Sequence, residues 1–127
     1  MKVEEISTPD RWETKCTAEA GFCGVAFFDP LEDEQRHAKF LSVLEELMPK
    51  VFKNARLMWV NAPEHYSFFE SFRLGGGFPN FGLYQPKSKR VVPYRGSFTT
   101  EDILEWFQKK VLIGRPQSFA ADKLEFK

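Results

Sequence analysis

The chain has 127 residues, 43% of them hydrophobic and 28% charged, a length and balance that fit one compact globular domain and exclude global disorder. Lys plus Arg and Asp plus Glu both number 18, so the formal charge is zero. The basic excess that neutralises nucleic-acid phosphates or grips an anionic bilayer is missing, and no run of about 18 apolar residues offers a membrane span.

Val3 to Ile6 is predicted as a short first strand. Thr8 then caps a helix, with Pro9 in the first helical position. Trp12 and Cys16 share a face of that helix, and Gly21 is expected to end it. Phe22 to Phe28 is a continuous apolar run, the mark of a strand covered on both faces. Asp29-Pro30 stops it, and a charged loop through Leu31, Glu32, Asp33 and Glu34 follows. Phe40, Leu44, Leu47 and Val51 recur at helical spacing, widened by Leu41, Met48 and Phe52, and Pro49 is expected to kink or divide that helix. Arg56 to Asn61 is the next buried strand, and Pro63 to Phe72 a short helix bearing Phe68, Phe69 and Phe72.

Leu74-Gly75-Gly76-Gly77 leads through Phe78-Pro79 into a strand, Asn80 to Gln85. Pro86-Lys87-Ser88 turns the chain into a hairpin partner, Arg90 to Tyr94, broken by Gly96. Thr99 caps the last helix with Asp102 three residues on, and Ile103, Phe107 and Val111 form its buried stripe. Gly114-Arg115-Pro116 closes it. The domain is therefore set at 1–115, with 116–127 as a polar linker or tail. Three strands joined by helices run parallel and the hairpin adds an antiparallel one, which makes a central mixed α/β sheet flanked by helices on both faces.

Few residues carry chemistry. His37 and His65 lack metal-ligand spacing and read as surface histidines, so no metal and no cofactor are expected. Gly75 to Gly77 lacks the Lys-Ser/Thr of a phosphate loop, and no nucleophile elbow is present. Lys87, Lys89, Arg90 and Arg95 gather near the hairpin, as a solvated turn or as the footprint of an acidic partner. Cys16 and Cys23 are spaced Cys-x6-Cys, at the end of one helix and the start of the next strand. A structural bridge, two buried thiols and a cycling redox pair all remain open. The 14 Phe read as a Phe-packed core, or as a core with a few rings exposed to apolar client segments.

The order of elements resembles the thioredoxin fold. That resemblance implies a cis peptide bond at Pro79, which an X-Pro bond tolerates. Leu74 to Pro79, Tyr84 to Arg90, Tyr94-Arg95-Gly96-Ser97-Phe98-Thr99 and Phe107 through Gly114-Arg115 are similar to one domain of the protein disulfide isomerase family. So is the helix ending in a Cys, with a second Cys opening the next strand. That domain is the non-catalytic one following two catalytic thioredoxin domains. In the catalytic relatives, Cys-x-x-Cys opens the second helix, where dipole and free amides stabilise a thiolate. Here Asp29-Pro30-Leu31-Glu32-Asp33 takes that place.

The resemblance implies a redox-inactive module that supports client or chaperone binding and positions catalytic domains of the same chain during oxidative folding. The expected client surface is Pro30, Leu31, Phe78 and Pro79. The implied partners are unfolded protein clients and an endoplasmic reticulum chaperone, with no nucleic acid and no membrane. The implied compartment is the reticulum lumen, although the opening residues show no apolar signal stretch and no retention tetrapeptide closes the chain. The alternatives are an oxidoreductase working through Cys16 and Cys23, and a cytosolic thioredoxin-like adaptor.

Overall fold

A computed structural model describes residues 2–16, 21–32, 34–114, 116–121 and 124–126. Asp33 and Arg115, which figure in the motifs above, lie outside the described residues. The strands are β1 (Glu4–Glu5), β2 (Phe22–Phe28), β3 (Ala55–Asn61), β4 (Asn80–Gln85), β5 (Arg90–Pro93) and β6 (Phe119–Ala120). The helices are α1 (Pro9–Lys15), α2 (Glu34–Val51), α3 (Tyr66–Ser71) and α4 (Thr100–Trp106). One turn of π-helix, Phe107–Val111, prolongs α4, with the Leu112 amide donating to the Phe107 carbonyl.

The sheet order is β1-β3-β2-β4-β5-β6. β3 runs parallel to β1 and β2, and every pairing from β2 to β6 beyond them is antiparallel. β2 occupies the middle because its side chains are apolar in both directions. Ala26 and Phe28 enter one core with Leu44, Leu47 and Val51 of α2 and Ile103 and Phe107. Cys23, Val25 and Phe27 enter the other with Trp12 of α1 and Phe68, Phe69 and Phe72. The expected mixed sheet with helices on both faces is thus the fold.

Local chemistry sets the boundaries. The Thr8 hydroxyl accepts from the Arg11 amide at 3.2 Å, and the Thr99 hydroxyl from the Asp102 amide at 3.2 Å, so both predicted caps are formed. The buried Thr100 hydroxyl lies 3.1 Å from Glu46 Oε2 and 3.4 Å from the Val43 carbonyl, tying α4 to α2.

Four expectations need correction. Gly21 does not end α1, which is capped at Cys16; with φ +80° it instead enters β2, where a Cβ would sit 2.9 Å from the Asn54 carbonyl oxygen. Pro49 does not divide α2, which continues through it to Val51. Phe52 does not join the buried stripe. The helix ends one residue earlier, and the ring is left 56% exposed. Residues 116–127 are not a free linker over their described part. Phe119–Ala120 pair with β5, Arg90 holds Ser118 through Nε and Nη2 at 2.8 and 2.9 Å, and Phe126 is buried against Phe68. Ala121 and Leu124 pack on the same apolar face, so a largely polar segment docks through its few apolar side chains.

Candidate functional site at the start of the second helix

β2 delivers Phe28 and Asp29 to the loop that opens α2. There the Asp29 carboxylate accepts from the Leu31 amide at 3.1 Å, and the Glu32 amide donates to the Asp29 carbonyl at 3.2 Å. This Asx turn closes the chain tightly without any cysteine. It leaves Pro30 half-buried and Leu31 92% exposed.

The second wall comes from the loop before β4. Gly75 and Gly76 take φ +67° and +63°, a region open to glycine at little cost, and the Phe78–Pro79 bond is cis. Asn80 fastens this loop, its Nδ2 donating to the Gly75 carbonyl at 2.7 Å, while Arg95 reaches the Leu74 carbonyl at 3.4 Å. Phe78 packs edge-on against Phe69, with centroids 5.0 Å apart.

The two loops meet at a cleft of about 20 Å³, lined by Phe28, Asp29, Glu32, Arg36, His37, Phe40, Phe78 and Pro79. That volume holds about one water, so a peptide would lie across the cleft rather than within it. Of the four residues expected to form a client surface, Phe78 and Pro79 line this cleft, and Pro30 and Leu31 follow Asp29 in the adjoining turn.

Sequence reasoning missed His37. Both histidines were read as surface groups, and both are half-buried. The His37 ring lies edge-on to Trp59 at 4.8 Å and to Phe28 at 5.4 Å, with Nδ1 enclosed and lacking a hydrogen-bond partner. The signal was there, since His37 precedes Phe40, Leu41 and Leu44 by three, four and seven residues, on the same stripe. His65 is elsewhere, its ring 4.7 Å from Phe126 and its Nε2 4.0 Å from Glu64 Oε2. Among the described residues no three His, Cys, Asp or Glu side chains converge as a metal site.

The cysteines occupy the other end of β2. The Cys16 amide caps α1 on the Trp12 carbonyl at 2.8 Å, and Cys16 is bonded to Cys23 with the Cα atoms 5.5 Å apart. Cys23 is fully buried, and Cys16 is half-buried. Six residues of strand separate Cys23 from Asp29, roughly 20 Å at the usual strand rise. The disulfide is therefore distinct from the cleft at α2. The basic residues near the hairpin also part company: Arg90 is engaged with Ser118 and Arg95 with the Leu74 carbonyl.

A six-stranded sheet of this order, with a cis-proline facing the start of the second helix, defines a thioredoxin-fold domain. No family model matches the chain. It is 30% identical over 115 residues to a candidate protein disulfide-isomerase of Dictyostelium discoideum, a match covering 89% of this chain and 27% of that protein. The chain thus spans about a quarter of the length of that relative. Among solved structures, the zinc-bound form of human ERp44 aligns with a TM-score of 0.60 and 16% identity, covering 86% of this chain and 30% of that one. The J-Trx1 fragment of ERdj5 aligns with a TM-score of 0.62 and 14% identity, covering 84% and 50%. The first thioredoxin domain of mouse protein disulfide-isomerase A4 gives 0.56 and 17%, covering 72% and 64%. The structural likenesses establish the thioredoxin fold. The sequence likeness makes this a thioredoxin-like domain related to the protein disulfide isomerase family.

Proposed function

We propose that this domain is a non-catalytic module of a protein disulfide isomerase, acting in the endoplasmic reticulum lumen beside catalytic thioredoxin domains of the same chain. On this reading it receives unfolded or partly folded clients, and an endoplasmic reticulum chaperone, at the cleft before α2. The observation that carries the reading is the pairing of a kept cis-proline wall with an opposite wall built by an Asp29 turn in place of a cysteine pair. The peptide-facing half of a thioredoxin site is present and the electron-transferring half is not. Leu31, exposed beside the cleft, and Phe78, within it, supply the apolar contact for a client.

One observation favours a second reading. The Cys16–Cys23 bond joins a buried cysteine to a half-buried one, and a disulfide is opened by a thiolate that reaches one of its sulfurs. An oxidoreductase would then work from the opposite end of β2. A redox titration with thiols counted by mass spectrometry separates the two. A couple below about −300 mV, with no turnover of a disulfide substrate, supports the non-catalytic module. A reversible couple near about −180 to −230 mV, with turnover lost in Cys16→Ser, establishes the oxidoreductase. Client binding that survives Leu31→Ser with Phe78→Ala removes the cleft from the proposal.

A further inference from the structure

The loops that follow β2 and β3 lie side by side, because the two strands run parallel and their last residues, Phe28 and Asn61, are in register. The Ala62 amide donates to the Phe28 carbonyl at 2.8 Å, and the Glu64 amide to Asn61 Oδ1 at 3.4 Å, so the second loop is held next to the Asp29 turn. This is the carboxyl end of the parallel strands, where open α/β sheets take their ligands.

The charge at this end is one-sided. Over residues 29–36 and 62–66 the sequence places five carboxylates, Asp29, Glu32, Asp33, Glu34 and Glu64, against one cation, Arg36, in a chain whose formal charge is zero. The Arg36 guanidinium lies over the Phe40 ring, 5.4 Å from its centre. Across the cleft, the stretch from Leu74 to Asn80 carries no charge, and Arg95 is engaged with the Leu74 carbonyl. One wall of the cleft is therefore acidic and the other is neutral and apolar.

These carboxylates are available to a partner. Among the described residues Glu32 and Glu34 have no ion pair, and Glu64, its side chain 65% exposed, meets only His65, at 4.0 Å. Leu31, 92% exposed, stands among them. A partner that covers Leu31 and Phe78 must bring its own flanking residues against this acidic wall. Lysine or arginine there is attracted, and glutamate or aspartate is repelled, which sets the choice of partner more than the strength of the contact.

We propose that the cleft before α2 selects extended client segments in which a large apolar residue is flanked by lysine or arginine, an inference that rests on the reading of this cleft as the client site. The apolar residue seats on Leu31 and Phe78, and the flanking cations meet Glu32 and Glu64. Acid-flanked segments of the same apolar content are turned away.

The test is fluorescence anisotropy on the full chain with two labelled peptides, Phe-Ser-Leu flanked on each side by two lysines or by two glutamates. The lysine-flanked peptide should bind at least about tenfold more tightly, with the difference shrinking as salt is added. Glu32→Lys/Glu64→Lys should remove that preference or reverse it. Both side chains are exposed, so the double variant is expected to fold, and Glu64→Lys alone, outside every helix and strand, gives a second variant with a smaller loss expected. Glu13→Lys, the same charge reversal on exposed α1, should leave binding unchanged. Equal binding of the two peptides, with both weakened in Leu31→Ser/Phe78→Ala, overturns the selectivity and leaves the cleft as the client site. A preference that Glu13→Lys lowers as much as the double variant does also overturns it, because the charge of the whole chain would then be responsible. Binding that Leu31→Ser/Phe78→Ala does not weaken, or no binding of either peptide up to about 1 mM, removes the underlying reading of the cleft and the selectivity with it.

Discussion

Reducing the Cys16–Cys23 bond tests whether a seven-residue separation across a helix end contributes the stability that loop closure implies. In the chain-entropy description, a bridge of this span removes about 2.4 kcal/mol of conformational freedom from the unfolded chain at room temperature. Comparing oxidised and reduced wild-type protein isolates that effect, because no side chain is exchanged and the buried site of Cys23 is not emptied. Urea unfolding should show the reduced form less stable by about 2 to 2.5 kcal/mol, and thermal unfolding a midpoint lower by roughly 7–9 °C. The same free energy closes a thermodynamic cycle. The bridge should form more readily in the folded than in the unfolded chain, by roughly 50 mV of potential. Coincident urea midpoints for the two forms, with thiol counting confirming both states, would refute the reasoning, since the unfolded chain would then gain nothing from opening the loop.

Three further outcomes are expected. Gly24→Ala should cost about 1–3 kcal/mol in urea unfolding, because its Cβ would lie 2.5 Å from Leu57 Cδ2 and 3.0 Å from Phe81 Cζ in a filled core. Phe126→Ala should cost about 3 kcal/mol or more if the tail is part of the domain, and next to nothing if it detaches in solution. Burial, reinforced by the Asp102 charge, raises the Tyr94 phenol from 10.0 to about 12. Its stabilising contribution should be complete below pH 10.0 and be lost as pH rises through about 12, and ultraviolet titration should show a late tyrosinate step that Tyr94→Phe removes.

The central sheet was legible because β2 and β3 carry apolar residues on both faces, a pattern that leaves them no place but the interior. The caps at Thr8 and Thr99 were legible because one hydroxyl and one amide three residues apart decide them. The Tyr94 to Thr99 motif was recognised by likeness, and the structure supplies its reason. The Tyr94 hydroxyl donates to the Ser97 carbonyl at 2.5 Å, its ring packs 4.9 Å from Trp106, and any Cβ at Gly96 would lie 2.6 Å from that hydroxyl. What stayed hidden depends on where a helix stops or on contacts far along the chain. Phe52 continues the α2 stripe in sequence, but the helix ends before it. Phe126 meets Phe68 across 58 positions, which no local pattern encodes.

The candidate site shows the same division. The absence of a cysteine at the start of α2 is plain in the sequence, and so is the Phe78-Pro79 pair. Their meeting is not, and neither is the enclosure of His37 between Phe28 and Trp59, one turn into α2. That enclosure bears on the function. A thioredoxin site that had merely lost its cysteines would leave an open groove, whereas here the Asp29 turn and the aromatic packing around His37 reduce it to about one water. On the proposed reading a client would bind on the rim, through Leu31 and the loop of Phe78, and its affinity is expected to follow the apolar area of those two residues rather than the depth of a pocket.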